Sequence, residues 1–110
     1  MIHAYFKRNE ENKIVSFEVT GHAESGAYGT DIVCAGVSAL TIGITNSLSI
    51  LGEFTPLVEV NDEVEGGYLY VELPLEISEK QLSTAQILLE SLLLSLESIA
   101  EEYPNYVKLK

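Results

Sequence analysis

The chain has 110 residues, 46% of them apolar, and carries 17 acidic against 6 basic side chains for a net charge of −11. That length and apolar content suit one globular domain over residues 1–110, and a single cysteine excludes an internal disulfide. The acidic balance argues against direct nucleic-acid binding, and the start of the chain runs straight into Lys7 and Arg8 with no apolar leader, so a cytoplasmic protein is expected.

In chain order, a first strand is expected from about Ile2 to Lys7, a polar turn at Asn9 to Asn12, and a second strand from Ile14 to Thr20. In the second, Val15, Phe17 and Val19 alternate with Ser16, Glu18 and Thr20, so one face is core and the other wet. A helix follows from about Asp31 to Leu51. It is apolar or small nearly all round, so other backbone can approach it closely, which predicts a central, buried element. Its uncharged run is long enough to raise the question of a membrane span. Ser38, Thr41, Thr45, Asn46, Ser47 and Ser49, and its place between strands, favour a helix of a soluble domain.

A second hairpin pairs Leu57–Val60 with a strand from Tyr68 to Leu73, whose Leu69, Val71 and Leu73 should face inward. Ser78 and Gln81 then form a capping box for a second helix. Its core stripe recurs at spacings of three and four: Leu82, Ala85, Leu89, Leu92, Leu96, Ile99 and Tyr103. Ile87, Leu88, Leu93 and Leu94 widen the apolar face beyond what one sheet needs, which suggests a homodimer contact. Pro104 and Asn105 end the helix, and residues 106–109 suit a short edge strand. The ββαββα order predicts an α+β two-layer sandwich, a small sheet with two helices packed on one face.

Candidate chemistry gathers in residues 21–38. Cys34 lies in the first turn of the expected first helix, where unpaired N–H groups and the dipole favour a thiolate. His22, at the end of strand two, can come back over that helix end across the loop of residues 23–31 and take the thiol's proton. A packed cysteine is the plain alternative. Asp31 suits either a helix N-cap or an orienter of His22. Ser38, one turn beyond Cys34, suits either a hydrogen bond near the site or one to its own helix. Gly26 and Gly29 would free the loop to act as a gate or make an ordinary turn. One cysteine and two histidines are too few for a zinc site, and His3 reads as an outward residue of strand one; no metal or other cofactor is expected. Neither a Cys-x-x-Cys pair nor a glycine-rich phosphate loop is present, and the one arginine is Arg8, so acyl or peptide cleavage is what remains.

The segment Gly21-His22-Ala23, the loop with Gly29, and the run from Asp31 to Ser38 resemble the bacterial ribosomal-processing cysteine proteases of the Prp family. The likeness is strongest over residues 21–38, and size, element order and charge agree along the whole chain. It implies Cys34 as nucleophile and His22 as base, with Gly21, Asp31 and Ser38 in support. It also implies, as partners, a second copy of the chain and the N-terminal tail of a basic protein, number twenty-seven of the large ribosomal subunit. Tyr28 in the loop is then a candidate for the groove that takes the apolar tail.

The resemblance gives the charge a purpose. Between Ile14 and Glu79 there is no lysine or arginine and eleven carboxylates, so a basic protein would be steered to this surface. The expected function is a cysteine endopeptidase that trims the tail of that ribosomal protein. From other classes, an acidic dimeric binding module with a structural cysteine, or transfer of a non-peptide acyl group, also fits the composition.

Overall fold

Alternation of apolar and polar residues builds the first hairpin, β1 (Ile2–Arg8) and β2 (Ile14–Thr20), paired antiparallel from His3 opposite Thr20 to Lys7 opposite Ser16. Its turn is organised by Asn9, whose Oδ1 accepts hydrogen bonds from the N–H groups of Glu11 and Lys13 at 2.9 and 3.0 Å. The computed structural model describes residues 1–21, 30–61 and 67–110, the side chains of residues 30 and 31 excepted. The remaining elements are α1 (Thr30–Ile50), β3 (Leu57–Val60), β4 (Tyr68–Glu72), α2 (Glu79–Glu102) and β5 (Val107–Leu109).

One five-stranded sheet results, in the order β3-β4-β2-β1-β5. β4 joins the two hairpins by pairing with β2, Phe17 opposite Val71 and Val19 opposite Leu69. β5 closes the other side by running parallel to β1. Residues that face each other across a ladder share a face of the sheet. Ile2, Ala4, Phe17, Val71 and Val107 therefore point to one side, where they meet Val33, Val37 and Leu48 of α1 and Ala85, Leu89, Leu92 and Leu96 of α2 in one core. Each of the larger side chains, the two alanines apart, stabilises by about 1.5–3 kcal/mol when taken fully out of water, before chain entropy is counted. Both helices lie on that face, as the element order predicts.

α2 matches its sequence pattern closely. Ser78 Oγ accepts from the Gln81 N–H at 3.1 Å, and Gln81 Oε1 accepts in return from the Ser78 N–H at 2.8 Å, completing the capping box. The wider apolar face resolves into two parts. Leu88 and Leu93 pack against the core, whereas Ile87 and Leu94 stay exposed, two turns apart among Glu90, Glu97 and Glu101.

α1 departs from expectation. The sequence predicts a central, buried helix, but among its described side chains only Val33, Val37, Thr41 and Leu48 are buried, with Leu40 and Ile44 partly so. Ile32, Ile42 and Ile50 are more than half exposed, and Ala35, Ala39 and Gly43 lie exposed between them. Both helices are long and apolar enough to cross a membrane, yet each lays one stripe on the sheet. Uniform apolar composition hides which side of a helix packs.

Two long-range polar contacts fasten α2 to the sheet. Gln86 meets the main chain of Ile14 twice, accepting from its N–H at 2.7 Å and donating to its carbonyl at 2.8 Å, where the β1–β2 ladder shifts register. Arg8 forms a two-pronged pair with Glu90 at 2.8 and 2.9 Å. The Arg8 hydrogen bonds hold the Glu90 carboxyl below the usual carboxylate range. A depressed carboxyl adds stability above its unfolded pKa and loses it as pH falls through the folded one. Because both side chains are partly exposed, the pair contributes about 1 kcal/mol or less. Glu90→Gln should therefore lower the urea midpoint slightly at neutral pH and leave it unchanged in acid below the usual carboxylate range. Urea titrations of both chains across pH read the difference.

Candidate functional site

Cys34 is half-buried on α1 and lines a cavity of about 220 Å³ at one end of the sheet. The wall from α1 consists of Cys34, Val37, Ser38 and Thr41, positions one face of a helix must share, with Ile42 at the rim. Val19 and Leu69, opposite each other in the β2–β4 ladder, face them from the sheet. Val60 of β3 and Ile2 of β1 complete the apolar lining, and Gly21 and Gly67 bring in the main chain at the ends of the paired strands.

The start of α1 refines the sequence reading. The helix begins at Thr30, so Cys34 stands in its second turn, and Asp31 is the second helical residue rather than the N-cap. The unpaired N–H groups at this end of the helix extend no further than Ile32. Helical side chains lean towards the N-terminus, which carries the Cys34 thiol back towards those groups. Thr41 is buried with its hydroxyl donating to the Val37 carbonyl at 2.9 Å and the Ser38 carbonyl at 3.3 Å. Its polarity is thus satisfied within α1, and it offers the cavity chiefly bulk.

Gly21 has a strict reason to be glycine. Its φ is +86°, and a Cβ placed there would lie 2.2 Å from the Met1 carbonyl oxygen. Its N–H donates to the Gly67 carbonyl at 3.3 Å, carrying the β2–β4 pairing one step past Thr20 and Tyr68. The chain therefore leaves the sheet beside Cys34 at the residue to which His22 is joined. His22, Gly26, Tyr28 and Gly29 lie outside the described residues, as does the side chain of Asp31. Of the proposed site residues, the structure brings Cys34, Ser38 and Gly21 together around one cavity.

The other histidine is on the wrong side. Ile2 and Ala4 face the core, so His3 between them faces away from α1, with its pKa lowered by burial and by the charges of Lys110, the N-terminus and Lys108. It is half-buried rather than fully outward, and its Nδ1 is buried without a hydrogen-bond partner among the described residues. Val37 and Thr41 were discoverable from sequence as the i+3 and i+7 neighbours of Cys34. Val60 was not, because only the sheet order brings β3 to the thiol.

Comparison with known proteins fits this arrangement. The sequence pattern of the cysteine protease Prp family matches residues 1–108. The chain belongs to that family. The ribosomal processing cysteine protease Prp of Bacillus subtilis (strain 168) is 38% identical over 108 residues, covering 98% of this chain and 95% of the relative. The crystal structure of SMU.848 from Streptococcus mutans superposes with a TM-score of 0.88 at 41% identity, covering 100% of this chain and 92% of that one. The Prp of Staphylococcus aureus, solved in complex with a substrate peptide, superposes with a TM-score of 0.76 at 33% identity, covering 100% of this chain and 98% of that one. The S. aureus enzyme has also been solved with a covalently linked product peptide. Like its Prp relatives this chain is a cysteine protease, which removes the reading of an acidic binding module.

The two glycines offer a paired test. Gly21→Ala forces a left-handed φ and a main-chain clash, and should cost at least about 1–3 kcal/mol. Gly43→Ala, mid-helix with nothing within 4 Å of the added Cβ, should stabilise by about 0.5–1 kcal/mol. Denaturant midpoints of the two variants should move in opposite directions.

Proposed function

We propose that this chain is a cytoplasmic cysteine endopeptidase that removes the N-terminal extension of a basic large-subunit ribosomal protein, number twenty-seven, with Cys34 as nucleophile and His22 as base. The observation that carries the assignment is the position of Cys34, the chain's one cysteine, on a cavity whose lining includes Gly21, the neighbour of His22 in the chain. The names of the Bacillus and Staphylococcus relatives support a ribosomal substrate. The net charge of −11 supports a basic one, drawn in by the field of the whole molecule.

His22 draws the proton from the Cys34 Sγ, and the thiolate attacks the scissile carbonyl. Main-chain N–H groups at the start of α1 hold the oxyanion of the tetrahedral intermediate. The C–N bond breaks as His22 gives its proton to the leaving amine, leaving the new N-terminal fragment on Cys34 as a thioester. Water, deprotonated by the same histidine, hydrolyses the thioester and restores the thiol. The apolar lining excludes competing water, while Ser38 at the rim offers a hydroxyl to the passing main chain.

A homodimer is part of the proposal, with its surface moved from α2 to α1. Two copies of a strongly acidic chain associate most cheaply through an uncharged face, and the outer residues Ile32, Ala35 and Ala39 supply one. Sedimentation should give a dimer at micromolar concentration and a monomer for Ala39→Glu; a monomeric parent chain rules the dimer out.

Intact-mass analysis of the extended ribosomal protein after incubation tests the activity. The chain should release one fragment of defined mass, Cys34→Ala none, and His22→Ala roughly 10²–10⁴-fold less. Cleavage by Cys34→Ala would overturn the mechanism.

A further inference from the structure

β3 lies at the margin of the sheet, and among the described residues its one neighbour is β4. The phase of that pairing is set by the Asn61 N–H, which donates to the Tyr68 carbonyl at 3.0 Å, with Glu59 opposite Tyr70 and Leu57 opposite Glu72. In an antiparallel ladder hydrogen-bonded and non-hydrogen-bonded pairs alternate. Leu57, Glu59 and Asn61 therefore turn their main-chain groups towards β4, and Val58 and Val60 turn theirs outward. Two N–H and two C=O groups stand along the open edge, the residues about 7 Å apart.

Natural sheets usually guard such an edge with lysine, proline within the strand or a bulge. β3 has none of these, and all four of its residues are exposed. Its brevity limits self-association but leaves room for two rungs of pairing. Val58 and Val60 face the same side as Val71 and Leu69, the side of α1, and remain 43% and 62% exposed. Val60 lines the cavity that contains Cys34.

We infer that the outer edge of β3 receives the substrate as an added strand, an extended peptide hydrogen-bonded to Val58 and Val60 and carried by that pairing past Cys34. This deepens the proteolytic reading above and rests on it. Alternate side chains of the added strand point towards α1, where Ile42 and Val60 offer an apolar groove; the intervening ones point to the opposite face, beside Glu59. The matching ligand alternates apolar and basic residues. The S. aureus relative solved in complex with a substrate peptide shows that a member of the family binds a ligand of this class.

Amide hydrogen exchange in the Cys34→Ala chain tests the inference. Two probes are titrated separately to millimolar concentration: the tail peptide of the ribosomal protein, and a short peptide alternating leucine and lysine. Expected is a slowing of at least about tenfold at the Val58 and Val60 amides with either probe, and none at Glu59, already bonded within the ladder. Fast exchange at Val58 and Val60 with both probes overturns strand addition. Val60→Pro, which removes an outward N–H and spares the ladder, should still melt cooperatively and should cut the tail with kcat/KM about tenfold lower, one hydrogen bond's worth. An unchanged kcat/KM overturns strand addition and leaves the Cys34 chemistry standing. If the parent chain leaves the tail uncut, the substrate assignment fails by itself, and exchange with the alternating peptide then decides the strand.

Discussion

The pairing of β2 with β4 is the constraint on which the rest of the molecule depends. Each hairpin alone is a two-stranded ribbon of marginal stability. Joined from Ser16 opposite Glu72 to Thr20 opposite Tyr68, they become one sheet broad enough to carry two helices. The same register aligns the strand ends, so that Gly21 and Gly67 meet main chain to main chain. It also sets Val19 beside Leu69 under the thiol. A slip of one residue would turn one of the two, with the rest of its strand, to the far face and open the floor of the cavity.

Above that floor, α1 meets two demands. Its inner stripe is core, with Val33, Val37 and Leu48 buried against the sheet. Cys34 sits at the border of that stripe, sheltered enough to be positioned and open enough to be reached. The outer stripe bears no charge and little polarity, so α1 faces a core on one side and asks for a neighbour on the other.

Much of this was legible in the sequence, and the failures have physical causes. Alternation in β2, the capping box at Ser78 and Gln81, and the apolar spacing of α2 are local signals that tertiary structure had no reason to override. The short β5 was also foreseen from residues 106–109. The orientation of α1 was not, because a helix without charges carries no mark of its wet side. Strand order was equally hidden: hairpins declare their own pairing, whereas β2 meeting β4 and β1 meeting β5 are agreements between distant segments. The same holds for Arg8 with Glu90 and Gln86 with Ile14, contacts separated by 82 and 72 positions. At the site, Cys34, Ser38 and Gly21 line one cavity; Thr41 follows from helical spacing, while Val60 joins them only in three dimensions.

The parallel pairing of β1 with β5 has a bearing on how the molecule comes into being. β1 is the first strand made, and one of its partners, β2, follows within a few residues; the other, beginning at Val107 opposite Ile2, is made more than a hundred residues later. Closing so long a loop costs more entropy than closing a hairpin and is slower to achieve. During synthesis the outer margin of β1 is therefore left unpaired longer than any hairpin edge. Ile2, which anchors to the Tyr106 carbonyl and walls the thiol's cavity, is set last. A nascent chain of this protein thus carries its cysteine well before it carries a finished cavity around it.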